Sequence, residues 1–228
     1  MVPLKLKARD AWWTVILVDP VAGWLVRWVY PVRAITPNLL TGLSAVIAAG
    51  AVLAFALGHL VVGGVLFQAS FVVDCMDGKL AFTRDQRSRY GGFFDVVADT
   101  VRFAGCATAI AYAASPDGSH AAVWTAVLAL YPAAHFGVIV TGAAWPDRGP
   151  GSSISLAAAP LALLRAAPSR LGTPGSTVDA EAVAFTIGPI AGHPLAGVAV
   201  AVAFNAFHLL ASTAVRMRRA VAMGEEPA

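Results

Sequence analysis

Residues 74–99 read DCMDGKLAFTRDQRSRYGGFFDVVAD, and four aspartates in this stretch decide how the whole chain is read. Asp74, Asp77, Asp95 and Asp99 lie inside or against long apolar runs, where a bare carboxylate is costly. A fifth, Asp85, sits among arginines in the connector and is explained as their solvated partner. An ionisable residue within a membrane helix is a functional hypothesis by default. Asp74 and Asp77 are three residues apart, Asp95 and Asp99 four, so each pair projects from one side of its helix.

The surrounding composition makes the membrane setting plain. Of 228 residues 58% are hydrophobic and 13% charged, against about a quarter charged in a soluble domain. Mean hydropathy is +0.71. Several runs reach the roughly 18 apolar residues that mark a membrane span. The expectation is an all-α, polytopic membrane bundle forming one domain over 1–228, with spans at 36–57, 60–82, 90–114, 120–145, 177–191 and 194–217. Residues 10–30 hold Trp residues together with Asp19, Pro20 and Arg27; they suggest an amphipathic interfacial helix, with Pro20 the place where it would break. A second interfacial helix is expected near 154–166.

Local signals place the polar residues. Thr36 suits an N-cap and Pro37 a first helical residue, which puts Asn38 and Thr41 on one face of the first span. Helix-start polarity and ligand contact both account for that pair. In the second span Gly63, Ser70, Asp74, Asp77, Gly78 and Ala81 recur at helical steps, so one side is small or polar and turns into the bundle. Gln68 falls off that face. Thr177, Asp179 and Glu181 suit the N-terminus of the fifth span and are not recruited as ligands. Cys75 and Cys106 lie in apolar helices, with neither a disulfide framework nor zinc spacing.

With the N-terminus in the cytoplasm and six spans threaded, every Lys and Arg except the intramembrane Arg102 falls on the cytoplasmic side. The opposite turns carry His59, Asp117, His120 and His193 instead. This follows the positive-inside rule and places both termini and the aspartates at the cytoplasmic face. The basic residues form no continuous stripe, which argues against a nucleic-acid partner.

A short connector makes the two aspartate helices antiparallel neighbours, so four carboxylates converge near one membrane boundary. Like charges cannot share a low-dielectric site uncompensated. Carboxylate oxygens suit hard cations such as Mg²⁺, Mn²⁺ or Ca²⁺, and two divalent ions would offset four negative charges. A metal pair of this kind clamps phosphate oxygens during an in-line displacement. Gly78 and Gly91, on the carboxylate face, would let a phosphate or nucleotide approach the backbone; helix packing by small residues is the competing account.

The pattern D-x2-D-G-x2-A followed by G-x3-D-x3-D resembles the signature of the CDP-alcohol phosphotransferase (CDP-alcohol phosphatidyltransferase) family, D-x2-D-G-x2-A-R-x8-G-x3-D-x3-D. Asp74, Asp77, Gly78, Ala81, Gly91, Asp95 and Asp99 match it; Phe82 stands where the family has Arg. The resemblance implies a membrane transferase of phospholipid biosynthesis. It would bind a CDP-alcohol donor such as CDP-diacylglycerol, pass the phosphoalcohol to a small alcohol or sugar-phosphate acceptor, and release CMP. It implies Asp74, Asp77, Asp95 and Asp99 as ligands of two Mg²⁺ or Mn²⁺ ions and Asp99 as general base. Gly78, Ala81, Ser88, Gly91, Asn38 and Thr41 would then meet substrate, and the protein would be a homodimer. Arg84, Lys79, Arg87 and Arg102 are candidates to replace the missing arginine. A catalytically silent relative and a divalent-ion transporter are the alternative readings. An intramembrane prenyltransferase would need two separated aspartate motifs and more spans.

Overall fold

The computed structural model describes residues 3–7, 10–114, 152–155, 161–171 and 176–222. A helix starts at Trp12, passes through a π-helical turn at Thr14–Val18, and continues as α1 (Asp19–Val29). The break expected at Pro20 does not occur. Proline lacks an N–H and its ring crowds the carbonyl four residues back; the wider π turn just before it absorbs that defect. Next come α2 (Pro37–Ala56), α3 (Leu60–Thr83) and α4 (Arg89–Ala114). Thr36 caps α2 as its sequence suggests, its Oγ1 accepting from the Leu39 N–H at 3.2 Å.

The stop of α3 matters for the site. Asp85 has φ 54°, the left-handed conformation that usually calls for glycine but that aspartate tolerates. The Gln86 N–H then closes back on the Ala81 carbonyl at 2.8 Å. The helix therefore runs through Ala81 and Phe82 and turns sharply into the connector. Gly58, at φ 77°, ends α2 in the same way, with the His59 N–H on the Ala54 carbonyl.

The remaining described residues are mostly helical, apart from one small ribbon. Strand β1 (Pro3–Leu6) pairs antiparallel with β2 (Ser152–Ser155). The interfacial helix expected at 154–166 is displaced: α5 is Leu161–Arg170, because the residues before it are drawn into strand pairing with the N-terminus. Then follow α6 (Thr177–Ala182), a second π turn at Val183–Ile187, α7 (Gly188–Ile190) and α8 (Pro194–Ala222). The cap of α6 is Ser176, in a reciprocal capping box with Asp179.

Four described helices are long and apolar enough to cross a membrane: α2, α3, α4 and Pro194–Val215 of α8. The run from Thr177 to Ile190, expected as a fifth span, rises only about 21 Å at 1.5 Å per residue, short of a hydrocarbon core of about 30 Å. The expected span 120–145, with His135 and Pro132, lies outside the described residues, as does Arg148.

Helices α2 and α3 pack along each other, with α4 against α2 and α1 against α3. A side chain on Gly63 would collide with the Phe55 ring, so that glycine sets the approach of α3 to α2. Phe67, Phe103 and Phe185 form the aromatic centre of the core, with Phe67 and Phe185 centroids 4.9 Å apart. Gln68, off the polar face of α3, ties neighbours together: its Oε1 accepts from Trp13 Nε1 at 3.0 Å and from the Thr186 hydroxyl at 3.3 Å.

A buried ion triad joins α1, α3 and α5. Asp19 is fully buried, with Lys79 Nζ 2.5 Å from one carboxylate oxygen and Arg170 Nη1 2.7 Å from the other. These are close ionic contacts without hydrogen-bond alignment. Arg170 also donates from Nε to the Lys7 carbonyl at 3.3 Å. Removing one member of a buried charge set leaves its partners uncompensated, at about 3–5 kcal/mol. Asp19→Asn is expected to lose stability of that order, read as earlier thermal unfolding in detergent, and an Asp19→Asn protein as stable as wild type would refute the triad's structural role.

Candidate active site

Three helices deliver the residues singled out by the sequence. From α3 come Asp74, Asp77 and Gly78; from α4, Gly91, Asp95 and Asp99; from the start of α2, Asn38 and Thr41. The connector ends in a local cap, the Ser88 Oγ accepting from the Gly91 N–H at 2.9 Å. A Cβ placed on Gly91 would lie 3.1 Å from Ser88 Oγ and 3.4 Å from Asn38 Oδ1, so the beginnings of α2 and α4 meet at this glycine. Gly78 differs. A Cβ there would meet nothing within 4 Å among the described residues, so their packing does not demand a glycine. That observation favours ligand access over helix packing for Gly78, whereas both accounts hold for Gly91.

Oxygens of Asp74, Asp95 and Asp99 lie within 4.8 Å of one another, a group that could hold a metal ion. All three residues are half-buried. Asp74 Oδ1 is buried and has no hydrogen-bond partner among the described residues. The three acids offer carboxylate oxygens only, a donor set that suits a hard ion. Asp77, one turn further along α3, is buried and accepts a short hydrogen bond from the Thr41 hydroxyl, which also reaches the Pro37 carbonyl at 3.2 Å. Thr41 is therefore more than helix-start polarity: it orients a motif carboxylate.

Among the charges compensating these acids is Arg102, which the sequence offered as a candidate to replace the missing arginine. Arg102, on α4 one turn beyond Asp99, is 3% exposed. Its Nη2 forms an ion pair with Asp99 Oδ1 and lies 3.6 Å from Asp74 Oδ2. The available signal was its i, i+3 spacing from Asp99 on a shared helix face, a spacing that also suits ordinary helix charge pairing.

The fates of the other basic residues settle which could replace the missing motif arginine. Arg84 is committed to the end of α1: it donates to the carbonyls of Val29, Tyr30, Val32 and Ile35 at 2.6–3.1 Å. It does not swing toward the aspartates, because it satisfies the orphan carbonyls of a helix C-terminus. Lys79 is held by Asp19, and Arg102 by Asp74 and Asp99. Arg87 is exposed, and its guanidinium stacks over the Phe82 ring, 4.0 Å from the centroid. Ala81 is half-buried, and its carbonyl serves the helix stop. On α5, Arg170 is held by Asp19 and Arg165 is exposed.

No curated protein matches the chain significantly. The family model described as CDP-alcohol phosphatidyltransferase matches residues 34–188, which takes in α2, the paired aspartates of α3 and α4, and the short helical run that follows α5. With most of its length matched and its carboxylates gathered where the signature places them, the chain belongs to the CDP-alcohol phosphatidyltransferase family, whose membership implies transfer of a phosphoalcohol group.

Proposed function

We propose that the protein takes a CDP-alcohol such as CDP-diacylglycerol, transfers its phosphoalcohol to the hydroxyl of a small alcohol or sugar phosphate, and releases CMP. The observation that carries this reading is the convergence of Asp74, Asp95 and Asp99 within the family-matched region. Asp74, Asp77, Asp95 and Asp99 would hold Mg²⁺ or Mn²⁺, two ions in the fullest form. Bound there, divalent ions supply neutralisation of charge on the transferring phosphate.

The residues divide the remaining work. Asp99 is the general base: one of its oxygens is engaged by Arg102, leaving the other to take the proton of the acceptor hydroxyl. The acceptor oxygen then bonds to the phosphorus that carries the donor's alcohol. The bond from that phosphorus to the CMP oxygen breaks, and CMP departs with the electron pair. The open backbone at Gly78 admits the nucleotide. Asn38, Thr41, Ser88 and Gly91 border the same region, and Ala81 closes its floor on α3. The positive-inside pattern puts this chemistry at the cytoplasmic face of the cell membrane, within a homodimer serving phospholipid synthesis.

Phe82 supports the competing reading of a CDP-binding relative without turnover. The stacked pair answers it. Phe82 follows Asp74 and Gly78 at helical steps of four, and α3 is still helical there. Arg87, folded over the ring, therefore presents a guanidinium on the carboxylate side of the helix, where it can meet the donor's phosphates.

Incubating purified protein with Mg²⁺ or Mn²⁺, CDP-diacylglycerol and a panel of alcohols is expected to release CMP. Absence of release across a broad donor and acceptor panel would count against the reading. Asp99→Asn is expected to lower the rate by about 10²–10⁴-fold, the range for a lost general base, while leaving detergent solubility and folding intact. Gly78→Leu should abolish CMP release with unchanged thermal stability, because the space it fills is not used by the protein; a large stability loss would instead assign Gly78 to packing. Arg87→Ala is expected to raise the donor KM more than it lowers kcat, and Phe82→Arg in that background should restore the KM; a KM unmoved by either change would remove Arg87 from the site.

A further inference from the structure

Arg102 is held far more rigidly than a simple charge partner requires. Its Nη1 lies 3.2 Å from the Ser70 hydroxyl and 3.4 Å from that of Ser44, both fully or nearly fully buried. Its guanidinium carbon sits 5.7, 5.6 and 5.0 Å from the centroids of Phe67, Phe71 and Phe103. One side of the guanidinium is thus fixed by two serines from α2 and α3 and bordered by three rings. The other side addresses Asp74 and Asp99, one oxygen each. The second oxygen of Asp74 is the buried, unpartnered one. Arginine stays charged at every pH a protein meets. It is therefore a permanent cation built against the carboxylate cluster.

We propose that Arg102 is a positioning residue that acts as the resident counter-ion of the cluster. It orients Asp74 and Asp99 with one oxygen each turned toward an incoming ion, and by its charge it holds the protein's own affinity for divalent metal down. The ion then binds tightly only together with the donor's diphosphate, which supplies the missing negative charge. Two effects oppose each other when Arg102 is removed. Lost orientation of a ligand typically weakens metal binding about 10–100-fold. Relief of repulsion between a fixed single charge and a divalent ion a few ångströms away, in a partly desolvated site, is the larger of the two. The sign of the change therefore favours tighter metal.

This inference rests on the metal-dependent reading above, and binding measurements separate the two. Mn²⁺ binding to the purified full chain would be followed by electron paramagnetic resonance, with and without CDP as probe, alongside thermal unfolding. Wild type is expected to bind Mn²⁺ weakly alone and at least about tenfold more tightly with CDP. Arg102→Met should unfold earlier without metal, gain more stability from Mn²⁺ than wild type does, and bind Mn²⁺ at least about tenfold more tightly without CDP. Arg102→Lys, which keeps the charge but loses the fork, and a Ser44→Ala, Ser70→Ala double variant, which keeps the charge but loosens its hold, should gain no affinity; they provide the measurement if Arg102→Met does not fold. Equal or weaker Mn²⁺ binding by Arg102→Met, or tighter binding by Arg102→Lys or by the double variant, would overturn the counter-ion role. No Mn²⁺ binding by wild type with or without CDP would instead overturn the metal-dependent reading on which it stands.

Discussion

Everything in this molecule depends on the cost of placing charge in an apolar helix. Helix α3 carries Asp74 and Asp77 on one side and Lys79 on another, all within its last three turns. Each of these would be prohibitive alone. The fold supplies each with a specific partner on a different element: Arg102 of α4 for Asp74, Thr41 of α2 for Asp77, and Asp19 of α1 for Lys79. Because the partners lie on different sides, they fix both the rotation of α3 and its depth. Hydrophobic packing alone does neither well, since one apolar face slides against another at little cost.

The same logic explains why the N-terminal segment belongs to the working part of the protein. Asp19 reaches α3 through Lys79, the residue next to Gly78, and reaches α5 through Arg170. Arg84 then ties the end of α3 to the C-terminal carbonyls of α1. α1 is therefore fastened to α3 on both sides of Phe82, starting at the residue that follows Gly78. An interfacial helix that only floated on the bilayer would leave the end of α3 free to fray, and with it the open glycine and the stacked arginine.

How much of this could be read from the sequence depended on whether the signal was local. The helix start at Thr36 and Pro37 and four of the apolar spans follow from near neighbours in the chain, and the structure places them as expected. Partner choice is not local. Asp19 read as an interruption in an interfacial helix, and Lys79 and Arg170 as charge at the cytoplasmic face, because the contact that unites them spans distant parts of the chain. Arg84 read as a candidate for the missing arginine for the same reason: nothing nearby in sequence reveals the carbonyls at the end of α1 and in the connector after it. The continuity of the helix through Pro20 was hidden because a π turn leaves no strong residue signature. Gln68 was legible as lying off the polar face, but not as an acceptor for Trp13 and Thr186.

The departure from the family signature at Phe82 shows why a motif is better read as geometry than as letters. An arginine at this position would place its guanidinium one turn beyond Gly78 on the carboxylate side of α3. Here the left-handed turn at Asp85 reverses the chain directly after that helical turn. Two residues later Arg87 returns over the position, its guanidinium carbon 4.0 Å from the centroid of the aromatic ring. The cation is borne by the connector and steadied by the residue that displaced it. What the substitution changes is therefore the stiffness of the charge. On the proposed reading, a guanidinium anchored on the helix would be fixed with the helix, whereas one over a ring at the exposed mouth would follow the donor's phosphates as they enter and leave.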